Sequence, residues 1–354
     1  MNAYPAARVP LAATTVSVLL PVLNEADHID EVLASLAAQD HPGSLQVVVA
    51  DGGSTDGTLE RLSGWRDRLD DLIVVHNAGR VQAHGLNLAA RAATGQVLVR
   101  ADGHTVYAAD YVRRSVEALL GSGAVAVGGN LRPEGSTPFG RAVARVMTSP
   151  LAIGPGRFHH ATRRQPADTV YLGAFRREDL LASGGYRALP SGVAEDADLY
   201  HRWRRQGRTV LLDPAIRSTY RPRETPRAFA RQSWRYGAGK GELLWVNGRW
   251  PSWRPLAPLA LVTCLAGGGL VAAAGGPRWP LTAVTGVWVG GVAVVGARQG
   301  DGARGRLLVA GAMAIMHLSY GVGLVAGLLR GPRRLRGLRD PSRRPLDHRS
   351  EATP

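Results

Sequence analysis

The sequence predicts an α/β fold, a mostly parallel doubly wound sheet, followed by C-terminal transmembrane helices. Three observations carry this. Short runs of Val, Leu and Ile alternate with helical stretches from residue 15 to about 128. Polar clusters follow three of those runs, where open α/β sheets bind ligands. Beyond residue 254, three stretches carry no charge at all: 255–277, 279–297 and 307–329, of 23, 19 and 23 residues. They bracket the ~20 residues a helix needs to cross a bilayer.

Residues 15–20, 45–50, 72–76 and 97–100 read as buried strands, being rich in Val, Leu and Ile. The first follows Arg8 as a signal peptide's apolar run would. It alternates β-branched residues and ends at Pro21 without a small-residue cleavage pattern, which favours a strand. Between the strands, 27–38, 58–69 and 81–93 repeat apolar residues at helical spacing. Residues 129–170, rich in Gly, Pro and Arg, predict no regular element. Helical patterns return at 195–206, after a turn-rich 188–193, and at 225–236, which is basic and amphipathic. The domains expected are therefore 1–248, an α/β domain including an interface helix at about 225–240; 249–330, with two to three membrane helices; and 331–354, a basic disordered tail.

The net charge of +15 invites a nucleic-acid reading. From Arg254 onward, however, 13 arginines face four carboxylates, so most of the excess flanks the apolar spans. No basic stripe with interleaved aromatics is present, which argues against a nucleic-acid partner. Cys264 is the only cysteine and excludes a disulfide within the chain, in keeping with a reducing compartment. The tail from residue 330 holds eight arginines and favours the inner side of the membrane, against the odd number of crossings that three spans would give.

Each polar cluster has a chemical and a plain reading. Asp102-Gly103-His104 places a carboxylate and an imidazole two residues apart, able to face one divalent ion; the same triplet also makes a turn. Asp51-Gly52-Gly53-Ser54 offers a carboxylate to a nucleobase edge, while Thr55 or Asp56 equally serves as a helix cap. Glu195-Asp196 at a helix start complements the helix dipole or deprotonates an acceptor hydroxyl. Gln232-Ser233-Trp234-Arg235-Tyr236 sits at a membrane interface or binds diphosphate through Arg235 while an aromatic stacks on a sugar.

In this order and spacing the clusters resemble glycosyltransferase family 2, inverting enzymes with the GT-A (Rossmann-like) fold, over roughly residues 15–240. Pro21-Val22-Leu23-Asn24-Glu25 looks like the family's P-x-x-N-E turn, and residues 49–58 look like its D-x-G-S-x-D-x-T nucleotide segment. Gly52 stands where many members carry a second Asp, so base contacts rest on Asp51. Asn77-Ala78-Gly79-Arg80 resembles the stretch that closes over the donor diphosphate. Asp102-Gly103-His104 aligns with the D-x-D metal motif, His replacing Asp, which shifts preference from Mg2+ toward Mn2+. Glu195-Asp196 matches the E-D pair, and Gln232-x-x-Arg235-Tyr236 is similar to Q-x-x-R-W with Tyr for Trp.

The resemblance thus implies Asp196 as catalytic base. It implies Pro21, Asn24, Glu25, Asp51, Arg80, Asp102 and Arg235 at the donor, Asp102 and His104 at the metal, and Gly173, Glu195, Gln232 and Tyr236 at the acceptor or gating side. Arg235–Lys240 and Met316–Gly321 further resemble bacterial exopolysaccharide enzymes of the succinoglycan type. The implied partners are a nucleotide-sugar (UDP-linked), a lipid-linked or glycan acceptor, and the inner membrane, with the catalytic domain in the cytoplasm. Rival readings are a polyprenyl-phosphate glycosyltransferase and a non-catalytic membrane-anchored binding protein.

Overall fold

The computed structural model describes residues 10–69, 71–154, 161–248, 253 and 255–334. In chain order these form β1 (Val16–Val22), α1 (Ile29–Ala37), β2 (Leu45–Asp51), α2 (Thr58–Ser63), β3 (Leu72–His76), α3 (Gln82–Ala92), β4 (Val97–Arg100), β5 (Thr105–Tyr107), α4 (Tyr111–Ser122) and β6 (Ala126–Gly129). Then come α5 (Pro138–Met147), α6 (Pro150–Ile153), β7 (Gln165–Pro166), β8 (Tyr171–Arg176), α7 (Arg177–Ala182), α8 (Glu195–Arg205), β9 (Val210–Leu212) and β10 (Ser218–Tyr220). Four helices follow: α9 (Pro226–Asn247), α10 (Leu256–Ala273), α11 (Trp279–Gln299) and α12 (Gly302–Arg334).

The main sheet runs β3-β2-β1-β4-β8-β6-β9-β7. The first four strands are parallel, as their apolar runs require, because helices cover both faces. Side chains of α1 and α4 pack with Val16, Val18 and Leu20 on one face; α3 and α8 pack with Leu19 and Val48 on the other. β8 enters antiparallel to both β4 and β6, while β6 and β9 are parallel. Register sets Val22 beside Asp51 and Arg100 beside Leu19, so the ends of β1, β2 and β4 open onto one edge.

Three elements depart from expectation. The helix expected to reach residue 69 stops at Ser63, where Gly64 turns the chain while Trp65 and Leu69 still reach the core. The stretch 129–170 contains α5, capped by Thr137, whose Oγ1 accepts from the Gly140 N–H at 2.9 Å, with Pro138 at its first position. Its apolar residues, including Ala142, Val143 and Val146, pack on α11 and α12 rather than on the sheet. The basic helix expected to end by residue 240 continues to Asn247.

α10, α11 and α12 are each long and apolar enough to cross a membrane. α9 lies along α12 through glycines: a Cβ on Gly237 would sit 2.0 Å from the Tyr320 carbonyl oxygen, and one on Gly327 2.1 Å from that of Ala238. Such small residues let two backbones touch. Apart from the end of α12, the expected basic tail lies outside the described residues.

Candidate active site

The loops after β1 and β2 are stitched to each other. The Asn24 N–H donates to Ser54 Oγ at 2.9 Å, and the Thr55 N–H donates back to Asn24 Oδ1 at 2.9 Å. The Glu25 N–H donates to Thr58 Oγ1, and the Ala26 N–H to Asp56 Oδ2, both at 2.9 Å. Hydrogen bonds from Thr58 and Ala26 hold the Asp56 carboxyl below its usual range. Asn24 adopts φ 56°, the left-handed region that Asn tolerates better than most residues. Asp51 is buried at 2% exposure and accepts from the N–H groups of Gly53 and Ser54 and from Ser54 Oγ at 2.6 Å. Neither Asn24 nor Asp51 reaches the cavity wall; Pro21, Glu25 and Gly52 do.

At the end of β4, Asp102 accepts from Gln82 Nε2 at 3.1 Å and lies 3.5 Å from the Arg100 guanidinium. Its N–H donates to the Tyr107 hydroxyl at 2.7 Å; burial pushes that phenol's pKa up and keeps it a proton donor. His104 Nδ1 meets Glu25 Oε1 at 3.3 Å, and its ring sits edge-on to Tyr220 with centroids 5.4 Å apart. Gly103 between them is needed for space, since a Cβ would come within 2.8 Å of Glu25 Cγ.

Arg100 joins this cluster to the start of α8. Its Nη1 pairs with Glu195 Oε1 at 3.0 Å, and both side chains are almost wholly buried. Burial works against the guanidinium, but the charges of Asp102 and Glu195 outweigh it and raise its pKa. Burial likewise pushes the Glu195 carboxyl up, with Arg100 opposing. Asp196, next in the helix, is half-buried and faces the cavity. The turn before them is unusual: Ala194 has φ 69°, costing ~1 kcal/mol or more for a residue with a Cβ.

One cavity of about 1440 Å3 contains these groups. Arg80, exposed and at φ 52°, lines it; Gln232, Arg235 and Tyr236 line it from α9. Gln232 Nε2 donates to the Tyr220 hydroxyl at 2.9 Å and to that of Tyr236 at 3.4 Å. Arg235 donates from Nε and Nη2 to the Ser191 and Gly192 carbonyls, at 3.3 and 3.4 Å. Gly173 lies behind the wall: a Cβ there would meet the Tyr200 hydroxyl at 2.1 Å, so this glycine lets β8 and α8 approach closely. The cavity continues past Trp253, Pro258 and Leu261 to Val287, Trp288, His317 and Tyr320 on the apolar helices.

Sequence reasoning missed Arg100, Gln82, Arg223 and Arg231, all of which line the cavity. Arg100 had a visible signal, a charge closing an otherwise apolar strand. The others depend on which elements meet, which no local pattern reports.

Asp102 and His104 suit a divalent ion that shares its coordination with a substrate. Among the described residues no group of three or more His, Cys, Asp or Glu forms a closed cage. Mg2+-type sites commonly use one or two carboxylates, with phosphates and water completing the shell. Glu25 beside Nδ1 is the partner a metal-binding histidine needs to present Nε2.

Residues 17–181 match the model of glycosyl transferase family 2. The succinoglycan biosynthesis protein ExoA of Rhizobium meliloti is 30% identical over 329 residues, 92% of this chain and 98% of its own length. A dolichyl N-acetyl-alpha-D-glucosaminyl phosphate 3-beta-D-2,3-diacetamido-2,3-dideoxy-beta-D-glucuronosyltransferase of Methanococcus voltae is 22% identical over 65% of this chain and 74% of its own. In three dimensions, the mannosyltransferase PcManGT of Pyrobaculum calidifontis, solved with GDP-Man and Mn2+, superposes with a TM-score of 0.53 at 22% identity. The match spans 90% of this chain and 87% of that one, and establishes the shared GT-A fold. With a near full-length relative at this identity and the family model matching residues 17–181, the chain belongs to glycosyltransferase family 2.

Proposed function

We propose that this chain is an inverting hexosyltransferase of the inner membrane. It moves a sugar from a UDP-hexose in the cytoplasm to a lipid-linked saccharide in exopolysaccharide or cell-envelope glycan synthesis. The observation that carries the reading is the single cavity running from Asp102 and Asp196 to Trp288 and His317 on helices able to cross a membrane. A donor bound at the sheet edge and an acceptor anchored among α10–α12 would share it.

In the proposed reaction an acceptor hydroxyl attacks the anomeric carbon, the new C–O bond forms as the bond to diphosphate breaks, and Asp196 takes the hydroxyl proton. The buried Glu195–Arg100 pair fixes the first turn of α8 and so the place of Asp196. Arg80 supplies a guanidinium to the departing diphosphate. Asp102 and His104 would hold a divalent ion, Mn2+ or Mg2+, which when bound adds positive charge opposite the leaving group. Asp51 shapes the turn beneath the base site, leaving the Gly52 backbone at the cavity surface.

A second reading, with the lipid phosphate itself as acceptor, draws on Arg223 and Arg231. Both line the cavity without an ion pair among the described residues, and guanidinium suits phosphate. A phosphate oxygen needs little base catalysis, so Asp196→Asn would then retain activity.

The test is nucleoside diphosphate release by the detergent-purified full chain across UDP- and GDP-sugars, with and without Mn2+, and with Asp102→Ala as control. Metal-dependent release from one donor, lost in the variant, supports the proposal. No release from any donor, even with membrane lipid extract added, favours a non-catalytic binding role.

A further inference from the structure

We infer that α9 acts as a seat for the loop that presents Asp196, and that Glu242 and Gly239 on its inner face are positioning residues for the transfer step. The inference rests on Asp196 serving as the base.

The loop 189–194 has little internal support. Its own bonds are the Gly192 N–H to the Leu189 carbonyl at 2.8 Å and a long 3.5 Å contact from Ser191 Oγ to the Val193 carbonyl. Gly192 and Ala194 both sit in the left-handed region, at φ 70° and 69°. Backbone in such regions persists only where its surroundings impose it.

Those surroundings are one face of α9. Arg235, Gly239 and Glu242 are spaced i, i+4 and i+7, which brings them to the same side of a helix. The Glu242 carboxylate, 4% exposed, accepts from the Ser191 N–H at 3.0 Å. Arg235 donates to the next two carbonyls. Between them Gly239 leaves room for the loop to lie on the helix: a Cβ there would be 3.0 Å from Val193 Cγ2, 3.1 Å from Ser191 Oγ and 3.2 Å from Ala194 Cβ. The other side of α9 is locked to α12 through Gly237 and Gly241, the latter with a Cβ position 2.7 Å from the Leu324 carbonyl oxygen. Helix α9 therefore ties the base to the apolar helix that lines the far end of the cavity.

Glu242→Ala removes the acceptor for the Ser191 N–H. Displacements of about 1 Å at a reacting group can cost on the order of 100-fold. The expected result is a kcat for transfer about 10- to 100-fold lower, with the donor KM and the affinity for UDP plus Mn2+ within about twofold of wild type. Glu242→Gln keeps an acceptor oxygen and should recover most of the rate. Gly239→Ala, with no lost hydrogen bond, should lower kcat in the same selective way. Amide hydrogen exchange across 189–194 reads the seat directly and should quicken in Glu242→Ala.

Unchanged exchange in that segment, or a kcat that stays at the wild-type value, would overturn the inference. So would a fall in kcat matched by equal loss of UDP binding and thermal stability that Gln does not repair, since that marks general unfolding. A wild-type chain without turnover would sink the proposed reaction instead, and the exchange measurement would still decide whether the seat exists.

Discussion

The proposed donor side and the proposed acceptor side are built by different physics. On the donor side, loops about 30 residues apart in sequence are joined by hydrogen bonds between short polar side chains and neighbouring N–H groups, as with Asn24, Ser54, Asp56 and Thr58. On the acceptor side, contacts span far longer separations. His317 Nε2 meets the Ala152 carbonyl at 2.7 Å, Arg145 pairs with Asp301, and Trp245 Nε1 donates to the Leu328 carbonyl at 2.8 Å. The donor side is specified by residue chemistry, the acceptor side by which surfaces fit. Arg100, reaching Asp102 with one nitrogen and Glu195 with another, is the ionic link between them.

The largest effect should come from Asp196→Asn, which tests whether the acceptor side supplies a base at all. Losing a general base costs about 100- to 10,000-fold, so kcat should fall by that range while UDP binding with Mn2+ is kept. A tolerated substitution in a competent enzyme would move the acceptor from a hydroxyl to a phosphate.

Next is the link. Arg100→Ala leaves Glu195 buried without its cation, and breaking a buried pair in this way costs about 3–5 kcal/mol. Thermal unfolding in detergent should show a large drop. Its pH dependence has a definite sign. Burial already sets the Glu195 pKa above the unfolded value, so the folded state binds the proton more tightly and stability falls as pH rises through that interval. Without Arg100 the shift grows, so the variant should lag wild type most at neutral pH and least at mildly acidic pH. An equal deficit at both would mean Glu195 is not held as an ion by Arg100.

The acceptor side alone is probed by Gly327→Val. A side chain there meets the Ala238 carbonyl, and overpacking of this kind costs about 1–3 kcal/mol. The expected result is a lower Tm in detergent with the donor KM unchanged. A raised donor KM would show that the two sides are coupled more tightly than through Arg100.

What was legible in the sequence follows the same division. Strands β1 to β4, the ends that carry Asn24, Asp51 and Asp102, and the helix start at Glu195-Asp196 all show in local pattern, because residue type and spacing fix them. Helix α5 also had a readable period, with Ala142, Val143 and Val146 on one stripe. It was hidden by its arginines and by packing on membrane helices rather than on the sheet. Strands β5 and β10 are three residues each and form only because Thr105–Tyr107 and Ser218–Tyr220 meet, a pairing across more than a hundred residues. Arg235 reads as a phosphate ligand in sequence; in the structure its Nε and Nη2 donate to the loop before α8 while the residue also lines the cavity.

The smallest effect, on the donor side, separates two reasons for one residue. Asn24 accepts from the Thr55 N–H and also holds φ 56°. Ala at this position loses a hydrogen bond worth about 1 kcal/mol and adds strain of a similar size. Gly loses the same bond and relieves the strain. If the side-chain bond sets the loop, both variants should raise the donor KM a few-fold and alike. If the backbone sets it, Gly should match wild type while Ala does not. Asp keeps both the acceptor oxygen and some left-handed tolerance, so it should stay close to wild type under either account. A weakened Asp variant would require a third role for Asn24, in which its amide N–H group contacts the donor itself.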